Sequence, residues 1–308
     1  MALSPDMEKA LETYIDLDFL DPLSSPRQKK DGNFYSTYLA ELKPEYMYLA
    51  PDSGSVILKE ISPQQAKIYE KLSQTWNPYV EAVFGVFQVS GQYMAINEFI
   101  QKPSYLVYAS RKLAEKRNLS LEDYISEYGC LSEREAIIFL IQLCHGLETL
   151  AFLSFVHGDV APQNILLTNR TMIAPEPYGY IDGIHQKLTC KLIDFDITNK
   201  VKNQNHMVTV VAGTNPYAAP EILDYKNPTD RVDIYSLGCV LSFLLTGKSP
   251  KQIEPCELRS KCSKRIRKVI ARCTADYSKR YKKVSVLRHT LEKMLPSPPV
   301  IFHRKLHK

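Results

Sequence analysis

No Cys-x-x-Cys pair occurs in this chain, and its seven cysteines are an odd number. Both facts argue against a disulfide frame or a thiolate zinc site and fit free thiols in a reducing compartment. No signal peptide is expected, since the N-terminus is polar and acidic. The longest apolar run, around Ile234 to Leu245, is far short of the roughly 20 residues a membrane helix needs, so no membrane span is expected. Neither sign of charge dominates: the net charge is +5, a mild excess that alone decides nothing about partners, and no nucleic acid is expected among them. No internal repeat or low-complexity tract is evident. These absences leave a cytoplasmic globular protein as the expectation.

The 308 residues are 44% hydrophobic and 24% charged, enough apolar material for one large or two coupled domains. The chain is organised around His157-Gly158-Asp159-Val160-Ala161-Pro162-Gln163-Asn164. A helical pattern runs into it, with Ile137, Leu140, Ile141, Cys144, Leu147 and Leu150 at three- and four-residue steps. A short apolar strand, 165–167, leaves it, and a second strand ends in Ile193-Asp194-Phe195-Asp196. Paired as a hairpin, these strands would bring Asp159, Asn164 and Asp194 to one end. Hard oxygen ligands and a lone carboxylate suit magnesium on phosphates and an attacking hydroxyl.

Taken in order, residues 1–31 carry mixed charge and two Ser-Pro steps and look like an extension with one short helix. From Gly32 the texture is β-like, through Phe34 and Tyr35 to Val56-Ile57-Leu58-Lys59. Ser62-Pro63 opens a helix with Ile68 and Leu72 on one face and Glu70 on another. Two further strands, 83–88 and 93–100, complete a strand-rich part that joins a helical part near Glu98 to Pro103. The expected division is an extension over 1–31, a small lobe over 32–100, a large lobe over 101–295 and a basic tail over 296–308. Residues 103–119 are basic and look inserted. The pattern around Leu237, Val240, Leu241, Phe243 and Leu244 predicts a helix buried nearly all round. Between Lys251 and Lys283, twelve Lys and Arg face three Asp and Glu, which reads as a solvated helical face or as a docking surface for an acidic partner.

Together with Gly213-Thr214-Asn215-Pro216-Tyr217-Ala218-Ala219-Pro220-Glu221, Asp233 and Arg280, these motifs resemble the eukaryotic-like protein kinase family from about Gly32 to Leu291. The resemblance implies an α+β, bilobal fold with a small β-rich N-lobe and a larger helical C-lobe. It implies ATP-dependent transfer of the γ-phosphoryl group to a protein hydroxyl, Ser/Thr before Tyr, with ATP and Mg2+ as cofactors. Asp159 would be the base, and Asn164 and Asp194 the magnesium ligands. Lys59 would hold the phosphates with Glu70 as its helix partner, Glu60 and Glu81 being its rivals. Gly32 and Phe34 would cover the nucleotide, and Glu98 and Ile100 would meet it at the join between lobes. Thr214 would face the base, while Glu221 would pair with Arg280.

Four features depart from the family pattern. The glycine-rich loop keeps only Gly32, with Lys30 and Tyr35 at the other glycine positions. Gly158 stands in place of the usual arginine, so Thr209 is not expected to be an obligatory phospho-switch. Ala161 and Gln163 leave out a cation that helps neutralise the transferring group, an effect of about 2–4 kcal/mol unless Lys102, Arg111, Lys112 or a substrate group replaces it. Asp196 replaces the glycine of Asp-Phe-Gly. Two other readings therefore stay open: a small-molecule kinase of the aminoglycoside and choline phosphotransferase type, and a pseudokinase acting as a binding module.

Overall fold

Ser55–Ile61 (β3) carries the β-branched and apolar run Val56-Ile57-Leu58, with Val56 and Leu58 buried on one face, and it becomes the middle strand of a five-stranded antiparallel sheet. The computed structural model describes residues 3–23, 27–28, 34–50, 53–103, 111–169, 188–195, 199–200, 215–221 and 229–295. Counting Ile15–Pro22 as β1, Thr37–Leu42 as β2, Val83–Val89 as β4 and Gln92–Glu98 as β5, the sheet order is β1-β2-β3-β5-β4. Ser62 and Gln65 form a reciprocal capping box that starts α2, Pro63–Ser73, which lies on β4 and β5.

The stretch expected as an extension is part of this lobe. Ile15–Pro22 pairs antiparallel with Thr37–Leu42, and the helix Pro5–Leu11 (α1) buries Met7 and Leu11 in the core beneath the sheet. Burial of those side chains is the physical reason: a detached extension would leave them in water. Gly32, by contrast, lies outside the described residues.

In the helical lobe, Leu121–Tyr128 (α3) is followed by Glu133–Phe152 (α4), which a second capping box between Ser132 and Glu135 begins. By length and composition alone α4 is apolar enough to cross a membrane, but 56% of that stretch is buried against the rest of the lobe. It backs the hairpin of Ile165–Asn169 (β6) and Leu188–Leu192 (β7), whose antiparallel register runs from Ile165 opposite Leu192 to Asn169 opposite Leu188. Arg231–Thr246 (α5) is buried almost all round, as its sequence predicts. Lys264–Cys273 (α6) packs on α5, and Val284–Glu292 (α7) packs on α4 and α5.

The lobes are stitched together at the back. Val80 bridges Leu192, the Glu81 amide donates to the Leu192 carbonyl at 2.9 Å, and the Leu192 amide donates to the Tyr79 carbonyl at 2.9 Å. Helix α4 comes close behind because residue 146 is glycine: a Cβ there would stand 2.9 Å from the Tyr79 carbonyl oxygen and 3.0 Å from Leu192 Cδ1. Beside this seam, buried Lys191 on β7 reaches both carboxylate oxygens of Glu98, the last residue of β5, at 2.6 Å.

Candidate active site

The register of the β6–β7 hairpin brings the three expected residues together at one end. Asn164 ends the single 3-10 turn Pro162–Asn164 and leads straight into β6, and its carbonyl accepts the Ile193 amide at 3.1 Å. The Asn164 carboxamide donates through Nδ2 to the Asp159 carbonyl at 2.9 Å and to Asp159 Oδ2 at 2.8 Å. With Nδ2 so committed, Oδ1 is the atom that remains for a cation. Asp194 follows β7 in a left-handed conformation, φ +66°, which Asp tolerates better than most residues. Its Oδ1 lies 2.7 Å from Lys59 Nζ, so strand β3 reaches the same place from the other lobe.

The loop around Asp159 is held from below by α5. Asp233, buried on that helix, accepts the His157 amide at 3.0 Å through Oδ2 and the Gly158 amide at 2.8 Å through Oδ1. Burial raises its pKa to about 6, against the opposing pull of His157 and those two amides. His157 is itself enclosed: its Nδ1 accepts the Asp159 amide at 3.2 Å and its Nε2 faces the Ile193 carbonyl at 3.2 Å. Those two contacts engage both ring nitrogens. Gly158 stands at φ +80°, a conformation where an arginine would be strained.

Asn215 was not among the expected site residues. Its Nδ2 donates to Asp159 Oδ1 and its Oδ1 accepts the Tyr217 amide at 2.8 Å, so it joins the Ala219-Pro220-Glu221 segment to the base. The sequence signal was its place directly after Gly213-Thr214. Burial raises the Asp159 pKa, and His157 and the amides of Asn215 and Asn164 work against that shift.

Glu70 is a correction. It sits on the exposed face of α2, while Gln65, Ile68, Tyr69 and Leu72 take the buried face, Tyr69 meeting Phe195 edge-on at 6.0 Å. Glu60, next to Lys59 along an extended strand, points the other way and accepts the Ser36 amide at 2.7 Å. Glu81 is the buried carboxyl in the field of Lys59, with a pKa raised to about 7 by burial, which Lys59 opposes. Glu98 has its carboxylate on Lys191, and Ile100 is buried just past the sheet.

Lys102 donates to the carbonyls of Leu113, at 2.8 Å, and of Ala114 and Lys116, so it caps the short helix Arg111–Ala114 and does not face Asp159. Ala161 is fully buried and Gln163 is exposed. Phe34 belongs to a two-residue strand, Phe34–Tyr35, paired with Arg27–Gln28. Thr209, Asp196, Gly213 and Thr214 lie outside the described residues, as do the side chains of Arg111 and Lys112. Arg280 and Glu221 meet as expected: Nη2 is 2.9 Å from Oε2 and Nη1 contacts Oε1, with Nε on the Ala275 carbonyl at 2.8 Å.

Among the described residues no three His, Cys, Asp or Glu side chains gather closely enough to hold a metal alone. Asp194 and Asn164 supply two hard oxygens, a set that suits a magnesium ion whose remaining ligands are phosphate oxygens and water.

A family model described as protein kinase domain matches residues 60–299, well over half of the chain. Relatives include a probable serine/threonine-protein kinase of Dictyostelium discoideum, 30% identical over 54% of this chain and 27% of its own length. Human serine/threonine-protein kinase Nek5 is 27% identical over 71% of this chain and 27% of its own length. The chain thus spans under a third of the length of these curated relatives. The crystal structure of the Rad53 kinase domain and SCD2 matches the fold with a TM-score of 0.58 at 17% identity, covering 91% of each chain.

Proposed function

This chain belongs to the protein kinase family, and from that premise we propose that it transfers the γ-phosphoryl group of ATP to a protein hydroxyl, serine or threonine before tyrosine. One observation carries the reading. A base-type carboxylate, Asp159, is fixed between two carboxamides beside the Lys59–Asp194 pair, where a nucleotide and an acceptor would meet.

Phosphoryl transfer demands positioning and charge neutralisation more than covalent chemistry. Lys59 would hold the nucleotide phosphates, and Asp194 with Asn164 Oδ1 would hold magnesium. When bound, that ion draws charge off the β- and γ-phosphates. Asp159, with each carboxylate oxygen held by a carboxamide, would orient the acceptor hydroxyl and take its proton. Lys102 is committed to backbone carbonyls, so the cation missing at Ala161 and Gln163 would have to come from the substrate or from residues not described.

An acidic partner on the basic 251–283 stretch would meet exposed side chains such as Lys264, Arg265 and Lys268 on α6. Arg272 stacks on Tyr281 at 4.2 Å and Arg280 is paired with Glu221, whereas Lys282 and Lys283 line a cavity of about 660 Å³ with Arg231, Tyr277 and exposed Phe152. All seven cysteines are free thiols, five of them buried, which supports a reducing compartment such as the cytoplasm.

The test is Asp159→Asn. It should abolish labelled-phosphate transfer from ATP to a generic protein while leaving ATP affinity within about threefold, because the carboxylate addresses the acceptor and not the nucleotide. Comparable transfer by the variant would remove Asp159 as base. Nucleotide binding by the parent chain without any turnover would make it a binding module instead.

A further inference from the structure

Lys59 rests on Asp194. If Asp194 is to face magnesium, as the reading above requires, the ammonium loses that partner at the moment it must meet phosphate. A lysine on a flexible four-carbon stem then needs a second carboxylate to fix it. Helix α2 does not offer Glu70, which faces solvent. Glu60 points to the opposite face of β3, and Glu98 is occupied by Lys191.

Strand register singles out Glu81. Lys59 lies opposite Ala95, and Asn97, two residues further along β5, shares that face. Val83 is opposite Asn97, and Glu81 precedes it by two, so Glu81, Asn97 and Lys59 all look toward the back of the cleft. Glu81 is buried, and its amide is fixed on the Leu192 carbonyl at 2.9 Å. Asn97 is fully buried beside it, near enough to favour the ionised carboxylate, yet neither of its polar side-chain atoms completes a hydrogen bond. A buried, unsatisfied carboxamide next to a buried carboxyl is costly in an apolar wall. The cost makes sense if the pair holds a cation.

We infer that Glu81 is the positioning residue for Lys59 during nucleotide binding, with Asn97 steadying its carboxylate. The inference rests on the ATP-dependent reading above. Its consequence is specific to this chain: the anchor belongs to the segment bonded to β7, the strand that leads into Asp194. Lysine, carboxylate and metal ligand are therefore fixed to one another without helix α2.

Glu81→Gln should weaken binding of a fluorescent ATP analogue by about tenfold or more and raise KM for ATP, with Glu81→Asp recovering part of the loss. The melting temperature of Glu81→Gln should hold or rise, because a buried charge has been removed. Lys59→Met and the Lys59→Met/Glu81→Gln double variant should bind alike, since Glu81 acts through Lys59. Glu70→Ala should stay within about twofold of the parent. Additive losses in the double variant, a Glu70→Ala effect matching Glu81→Gln, or lost affinity only in step with a falling melting temperature would each overturn the assignment. Because binding is the readout, a parent chain that binds nucleotide but never transfers phosphate would refute the proposed reaction and leave the Lys59–Glu81 coupling measurable on its own.

Discussion

At residue 158 the backbone turns left-handed, φ +80°, so that two consecutive amides can point at Asp233. Glycine accepts that geometry freely, while a side chain there costs roughly 1–2 kcal/mol. Gly158→Ala and Gly158→Arg should both lower the melting temperature by several degrees, by about 2–4 °C for each kcal/mol in a chain of this size. Calorimetry of the two variants checks this, and unchanged melting in both would mean the loop relaxes away from Asp233. The meeting of Lys59, Asp159, Asn164 and Asp194 was legible in the sequence because order and spacing carry it. Glu70 was misread although the signal was present: it lies two residues from both Ile68 and Leu72, so helical geometry turns it away from their buried face. Asn215 was missed because the base was expected to meet its neighbour, Thr214.

Between elements, Arg280 does the joining. It ties Glu221 to the Ala275 and Arg231 carbonyls and packs on the Tyr235 ring at 4.8 Å. Its side chain is almost wholly buried, whereas Glu221 keeps 26% exposure. Removing Arg280 strands the carboxylate and two carbonyls, at a cost of about 3–5 kcal/mol for buried pairs and toward the lower end here. Arg280→Ala should therefore melt well below the parent, and a double change of Arg280 and Glu221 to apolar residues should recover part of the difference in denaturant unfolding. A variant that keeps its melting temperature and loses only turnover would assign Arg280 to the substrate surface. Strand β1 was the element hardest to read. Its Asp16, Asp18 and Asp21 resemble a charged tail, yet they suit an edge strand, where charge discourages pairing with another chain. The nearly all-round burial of α5 was readable from its apolar pattern.

For the molecule as a whole, Asp233 sets a pH dependence. Its folded pKa of about 6 lies above the ordinary 3.8. Between those values the folded state holds a proton that the unfolded state does not, so this contribution is fully present below about pH 4. It is lost as the pH rises through about 6, with a slope of at most about 1.4 kcal/mol per pH unit. Urea unfolding from pH 4.5 to 7.5 should show a shallower decline for Asp233→Asn than for the parent; parallel slopes would mean Asp233 stays charged throughout.

The seam behind the cleft also fixes how the molecule can bend. Tyr79, Glu81 and Glu98 of the small lobe are fastened to Leu192 and Lys191 of the large one, all beside the crossing from one lobe to the other. A joint fastened there acts as a fulcrum. Rotation about it displaces nearby groups little and distant ones far, so the bonds of the seam itself stay made while the rest of the sheet swings. Access to the cleft is then a matter of leverage at its mouth, and hydrogen exchange should find the amides of Glu81 and Leu192 slow with or without nucleotide.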